Sequence, residues 1–581
     1  MTVLRNPVLR GFAPDPSLVR VGDWYYVATS SFEWFPTIPI HRSRDLAHWE
    51  YAGHVRGAVP GNSLAGVPDS GGVWAPSLSW DGERFWVTYT VVRSVGTPYF
   101  DLDTYVSTAA RVDGGWSAPR RVASHGFDPA LFHEDGRLWL LNLQNDHRPG
   151  GERFAGIVVT ELDRDTLEPV GGTRLLLRHD RLVEGPKLLR RDGWYYLLLA
   201  EGGTGWEHGV RVARGRELTG PYELDARPLL TTRDAPEVPL QKAGHGELVE
   251  APDGQWLLSH LTARPLHTPR GRRCTLGRET AIQAVTWDAE GWPRLRQGGW
   301  HPAVEVEVPT RPHPLPPAAP ATPRTPPALP APPALSAPPA LSAPPAPATP
   351  VAPATFTTPT APTAPAPPAP PPEELSWPWS TLREPPDASW ADTSARPGWI
   401  RLRGRHGPES RWAASLLAQR VTEHRAEAEV TVQARPVTFT QAAGLVLWYN
   451  PEAYLALDLT WAEPEGEPQR GQQWDGTPGR TVLSLVERDE DGMRQAAVVD
   501  VSADGPVTLG VSVEGADARF WYLRDGVRTA VGPALDFGRL SDDHGSRLRF
   551  TGAMAGIHAR DLVDAAFTAD FTGFRLTCTP C

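Results

Sequence analysis

Five copies of one short pattern run through the first 254 residues of this 581-residue chain, and they limit its fold more than any other feature. Each copy has a lead residue, a short apolar run, a turn glycine and a second run rich in Trp, Tyr and Val. The lead residues are Asp15, Trp74, Asp128, Glu184 and His245, and the turn glycines are Gly22, Gly82, Gly136, Gly193 and Gly254. An apolar run, a glycine where positive φ is wanted and an aromatic run together read as a β-hairpin. The glycines recur at intervals of 60, 54, 57 and 61 residues. Hairpins repeating on that scale point to a β-propeller, here one of five blades. In a propeller, equivalent positions on the innermost strands converge on the axis. Three acids, a tryptophan and a histidine are therefore expected to meet in one funnel. Acids also cap turns, but caps have no need to keep a common register.

The formal net charge of -11 and a pI near 5.9 argue against nucleic acid or an anionic membrane as a partner. No apolar run approaches membrane-spanning length, and the N-terminus lacks a charged-then-apolar signal pattern, so a cytoplasmic location is expected. Three cysteines, Cys274, Cys578 and Cys581, make no disulfide framework, and the terminal CxxC has no second pair for zinc.

The chain divides by composition into an expected propeller over 1–308, a linker over 309–374 and a second β-rich unit over 375–581. Residues 309–372 hold 27 of the 63 prolines, with Ala, Thr and Ser, so they bury no core and read as an extended spacer. Beyond it, runs such as 426–432, 444–449, 454–460, 507–513 and 519–523 alternate or are continuously apolar, with turn signals between them. That is the pattern of a β-sandwich. The fold class is all-β throughout.

Three carboxyl groups among aromatics suit glycoside hydrolysis, in which one carboxylic acid protonates the leaving oxygen and a carboxylate activates water or attacks. A third acid raises the donor's pKa by like-charge repulsion. A hard-cation site is the rival use of three acids, but such sites often draw several oxygens from one loop, and these acids lie far apart.

Several stretches resemble glycoside hydrolase family 43, in its β-xylosidase branch: Asn6 to Ser17, Ser30 to Asp45, Gly72-Val-Trp-Ala-Pro76, Ala200-Glu-Gly-Gly-Thr204 and Leu276 to Gln283. In the second unit, Leu540-Ser-Asp-Asp543 and Arg549 to Met554 extend the resemblance. It implies a five-bladed propeller, a concanavalin-like C-terminal sandwich and hydrolysis with inversion. By that resemblance Asp15 is the general base, Asp128 the pKa modulator and Glu184 the general acid. Arg278 faces the terminal sugar's hydroxyls, Phe32 and Trp74 wall the pocket, and Phe550 closes it from the sandwich, making the enzyme exo-acting. The implied substrates are β-1,4-xylo-oligosaccharides, with α-L-arabinofuranosides as the alternative or a second activity. A non-catalytic sugar-binding propeller is the remoter alternative. No cofactor is required. His245 matches an axial histidine, a candidate metal neighbour that leaves room for calcium at the propeller axis, although a satisfied buried histidine fits as well. The resemblance is compatible with a homo-oligomer. Two departures stand out: Asn145 precedes Asp146-His-Arg148 where relatives commonly carry Trp, and the linker is long.

Overall fold

The computed structural model describes residues 2–309 except 98, 375–464, and 479–580 except 503, 504 and 548. Cys581 and almost all of the proline-rich stretch lie outside the described residues. Among the described residues there is no α-helix, and hence none long and apolar enough to cross a membrane.

Residues up to Val308 form five larger antiparallel sheets, four of four strands and one of five, besides two two-stranded ribbons. Their first strands, Ser17–Val21, Gly72–Trp80, Ala130–Glu134, Val183–Arg191 and Gln241–Glu250, neighbour one another in a closed ring. These are the innermost strands of a five-bladed propeller. Each blade buries its aromatic second strand against the next. Tyr26 of the first blade packs edge-on against Phe85 of the second at 5.2 Å, and Tyr196 of the fourth against Trp287 of the fifth at 4.9 Å. The ring is closed by its two ends, where Thr2–Arg5 pairs antiparallel with Glu305–Val308. The Asn6 amide continues that closure as a strand would. It donates to Ile282 O at 2.8 Å and accepts from Ile282 N at 2.8 Å.

The heads of the inner strands share a device that the repeat only partly reveals. Asp15, Ala75, Asp128, Gly185 and His245 all have left-handed φ, between 35° and 57°. Each stands two residues before an equivalent ladder residue: Ser17, Ser77, Ala130, Lys187 and Glu247. Trp74 and Glu184 are therefore one position upstream of Asp15, Asp128 and His245, level with Phe127. The expectation that all five lead residues are equivalent is corrected accordingly. The cause is a β-bulge, explicit between Trp74 and Ser77 and between Glu184 and Lys187. A bulge re-aims its side chains, so one strand head delivers two neighbouring residues to the axis.

The second unit is a sandwich of two antiparallel sheets. In the sheet away from the propeller, Arg425–Ala434 alternates buried residues with half-buried or exposed ones along its length, as a strand with one wet face should. Gln441–Asn450, in the other sheet, is buried at every residue. Its Leu445, Leu447 and Tyr449 face the sandwich core, while Val446 and Trp448 join an apolar cluster with Phe12, Phe32 and Trp34 of the propeller. That second burial explains the continuous apolar run.

The sandwich also borrows a strand. Trp34–Phe35 of the first blade pairs with Ser380–Leu382 and extends the sandwich sheet to eight strands. Glu423 adds an ionic clasp, accepting from Arg10 and, at 2.6 Å, from Arg264, which also grips Glu279 at 2.8 Å. Nearby, Gly277 adopts φ +74°, and a Cβ there would meet Thr551 O at 2.5 Å, so only glycine permits this approach. Removing one partner of a buried pair strands the remaining charge. Glu423→Ala is expected to lower stability by about 2–3 kcal/mol, read as a lower urea midpoint with unchanged slope.

Candidate active site

Asp15 heads the first inner strand between two prolines, with its carboxylate buried at the axis. Ser30 donates to Oδ2 at 2.6 Å, and Arg278 Nη1 donates to Oδ1 at 3.1 Å. The same serine oxygen accepts from Ala75 N at 2.7 Å, which ties the first blade to the second. Burial alone would raise the Asp15 pKa. The Arg278 guanidinium, His245 and the Ser30 hydrogen bond outweigh it and hold the carboxyl below its usual value. Asp15 is thus a carboxylate at neutral pH.

Asp128 and Glu184 behave in the opposite way. Asp128 accepts from Gly185 N at 3.1 Å, but burial and the nearby Asp15 charge push it up to about 7. Burial, then Asp128, then Asp15 raise Glu184 well above the ordinary range, with Arg278 acting against them. One ionised and one protonated carboxyl in the same pocket is the pairing that acid–base cleavage needs.

Arg278 comes from the loop before the fifth blade's third strand, and its guanidinium serves three neighbours. Besides Asp15 it donates to Thr204 Oγ1 at 2.7 Å and to the backbone oxygen of Phe550 at 3.0 Å. It also lies 5.5 Å from the centre of the Phe32 ring and 5.3 Å from that of Phe550. Those rings belong to an aromatic wall in which Phe32, Trp74 and Phe550 stand 5.6–6.2 Å apart, centroid to centroid. Phe127 meets Trp74 edge-on at 5.5 Å.

The structure brings Asp15, Phe32, Trp74, Asp128, Glu184, His245, Arg278 and Phe550 around one cavity of about 370 Å³. The cavity is lined by propeller and sandwich together. Sequence reasoning missed Phe127, Phe154, Lys242 and Asp542, which also line it, and the Ser30 and Thr204 hydroxyls that serve its charged groups. For Phe127 a signal existed, since it immediately precedes Asp128 as Trp74 precedes Ala75 and Glu184 precedes Gly185. Asn145 is turned away to its own loop, donating to Arg153 O.

His245 Nδ1 lies 3.7 Å from Asp15 Oδ1, and burial pushes its pKa down to about 4, so it is neutral at pH 7. It offers a hard cation one nitrogen, whereas calcium takes six to eight oxygens. Among the described residues, the group of three candidate ligands that comes together is Cys274, Asp542 and Asp543, not one around His245. Lys242 already neutralises that group, donating to Asp542 at 3.0 Å and Asp543 at 2.7 Å. The side chains present do not form a calcium cage at the axis.

A five-bladed propeller with oppositely tuned carboxyls in an aromatic-walled pocket defines a glycoside-cleaving enzyme. The glycosyl hydrolases family 43 model matches residues 4–293, and that of the beta xylosidase C-terminal concanavalin A-like domain matches 371–577. A xylosidase/arabinosidase 43B of Humicola insolens is 36% identical over 99% of this chain and 97% of its own length. A beta-xylosidase of Bacillus subtilis is 34% identical over 98% of this chain and 99% of its own. The crystal structure of a xylan beta-1,4-xylosidase from Bacillus halodurans superposes with a TM-score of 0.83 at 36% identity, covering 99% of this chain and 100% of that one. The chain belongs to glycoside hydrolase family 43.

Because the Asp128 charge helps to raise Glu184, Asp128→Asn is expected to lower the Glu184 pKa. Carbon-13 NMR of the labelled carboxyls, titrated in both proteins, reads that shift directly.

Proposed function

We propose that this protein is an exo-acting, inverting β-xylosidase that releases terminal xylose from β-1,4-xylo-oligosaccharides. The observation that carries the reading is three carboxyls lining one pocket in unlike surroundings: Arg278 and Ser30 bond Asp15 and hold it low, while burial and its acid neighbours raise Glu184. Asp15 is the general base: its carboxylate takes a proton from water as that water attacks the anomeric carbon. Glu184 is the general acid: it gives its proton to the departing glycosidic oxygen. Asp128 modulates, its charge keeping the proton on Glu184. Arg278 holds Asp15 ionised and has nitrogen donors at the edge of the cavity for the sugar's hydroxyls.

The inverting course is that of the family to which the chain belongs. Asp15 and Glu184 stand on the inner strands of the first and fourth blades, which do not adjoin. Inverting enzymes keep their carboxyls ~6.5–9.5 Å apart to admit a water, against ~5–5.5 Å in retaining ones. The exo mode follows from how the cavity is filled below and capped above. Buried Ser17, Ser77 and Lys187 occupy the axis beneath the acids, and Phe550 leans over from the sandwich. A cavity of about 370 Å³ is near the small end for ligand sites, suited to one terminal sugar. Xylose as that sugar rests on the relatives, whose names also couple xylosidase with arabinosidase activity. An α-L-arabinofuranoside is therefore the second substrate to try.

The roles separate by leaving group. Asp15→Asn is expected to lose ~10²–10⁴-fold in kcat on every substrate, because water must be deprotonated in all cases. Glu184→Gln should lose a similar factor on xylobiose but much less on 2,4-dinitrophenyl β-xyloside, whose leaving group departs without a proton. Equal losses for Glu184→Gln on both substrates contradict the assignment.

A further inference from the structure

One buried cluster near the pocket has no part in the chemistry above. Glu33 and Asp69 of the propeller and Arg383 of the sandwich are brought together where the strands Trp34–Phe35 and Ser380–Leu382 pair. Arg383 is 1% exposed. Its Nη2 donates to Asp69 Oδ1 at 2.5 Å, its Nε to Val67 O at 2.8 Å and its backbone N to Glu33 O at 2.8 Å. Asp69 pairs with Arg383 and lies 3.7 Å from Arg411, while Glu33 feels the Arg383 charge without an ion pair of its own. Burial raises Glu33 to about 8, with Asp69 adding to the rise against Arg383, so Glu33 holds a proton at neutral pH.

What the cluster holds is Ser70. Glu33 Oε2 accepts from Ser70 N at 3.1 Å, fixing a residue that is 2% exposed and has φ of 61°. From that position Ser70 fastens two walls of the sugar pocket. Its backbone oxygen accepts from Trp74 Nε1 at 2.9 Å, and its hydroxyl oxygen accepts from Phe550 N at 2.9 Å. Trp74 is a propeller residue and Phe550 a sandwich residue. A single serine thus sets the spacing of both rings, and its own position depends on a contact between the two units.

We propose that Ser70 is a positioning residue that sets affinity for the terminal sugar, and that Glu33, Asp69 and Arg383 transmit the docking of the sandwich to the pocket through it. This rests on the reading above that Trp74 and Phe550 flank that sugar. Ser70 touches none of the three acids, so substrate affinity and not the chemical step should respond to its loss.

Ser70→Gly isolates the effect, since glycine adopts the left-handed backbone without strain and keeps the carbonyl that holds Trp74. With 4-nitrophenyl β-xyloside, KM and the inhibition constant of free xylose are expected to rise about tenfold, the loss of one hydrogen bond to the Phe550 amide. kcat should stay within about twofold of wild type. The cluster is tested by a pair. Glu33→Gln copies the protonated acid and should keep wild-type KM, whereas Glu33→Ala removes the acceptor for Ser70 N and should raise KM as Ser70→Gly does. Unchanged KM and xylose inhibition in Ser70→Gly overturn the proposal, as does a fall in kcat with KM unchanged. Equal KM values for Glu33→Gln and Glu33→Ala remove the cluster's part. If Asp15→Asn kept full activity, the catalytic reading would fail separately.

Discussion

The buried contact between Arg278 and Asp15 is the interaction on which the rest of this structure depends. A carboxylate at a propeller axis, shielded from water, is costly unless a cation and hydrogen bonds attend it. Arg278 supplies the cation, and Ser30 supplies a short hydrogen bond. The arginine is itself buried, at 3% exposure, and is held by Thr204 from the fourth blade and by Phe550 O from the sandwich. One guanidinium therefore fixes the ionisation of the acid and closes the pocket from three parts of the chain. The same charge leaves Asp128 and Glu184 short of compensation, because Asp15 has claimed the cation. Burial first, and then the charges of their acid neighbours, raise the pKa values of both, while Asp15 stays below its usual value.

The sandwich lines the pocket together with the propeller and is not an appendage to it. Its sheet runs through into the first blade at Trp34–Phe35, and the strand Gln441–Asn450 is apolar on both faces because each face meets a core. Phe550 reaches the pocket only because those contacts seat the second unit. Sheet continuation is an economical way to achieve this. The backbone pairing fixes register, and Glu423 with Arg10 and Arg264 adds an ionic clasp at another edge.

Much of this was legible in the sequence, and the reasons differ from element to element. The five hairpins were visible because turn glycines and aromatic second strands repeat at near-constant spacing. Asp15, Asp128 and Glu184 stood out because they occur at the heads of those repeats. The register at the heads was not legible. A left-handed residue shifts the side chains by one position, and the step from Glu184 to Gly193 equals that from His245 to Gly254, so spacing gives no sign of which residue bends. Arg278 and Phe550 came from the family resemblance, since nothing in their local spacing announces a role. The roles of Ser30, Ser70 and Thr204 were not legible, although two of them lie in stretches that carry the resemblance: a hydroxyl's importance lies in the distant partners it meets, and short-range patterns do not encode those. The calcium left open beside His245 came from resemblance too, and the side chains around it do not supply the oxygens.

The central claim is that water, activated by Asp15, attacks the anomeric carbon from the face opposite the departing sugar. Proton NMR during hydrolysis of xylobiose by the purified enzyme tests it most directly, because the anomer released first records the face of attack before mutarotation blurs it. The account predicts that α-xylose appears first. Early release of β-xylose would mean retention, through attack by an enzyme carboxylate, and would contradict the account.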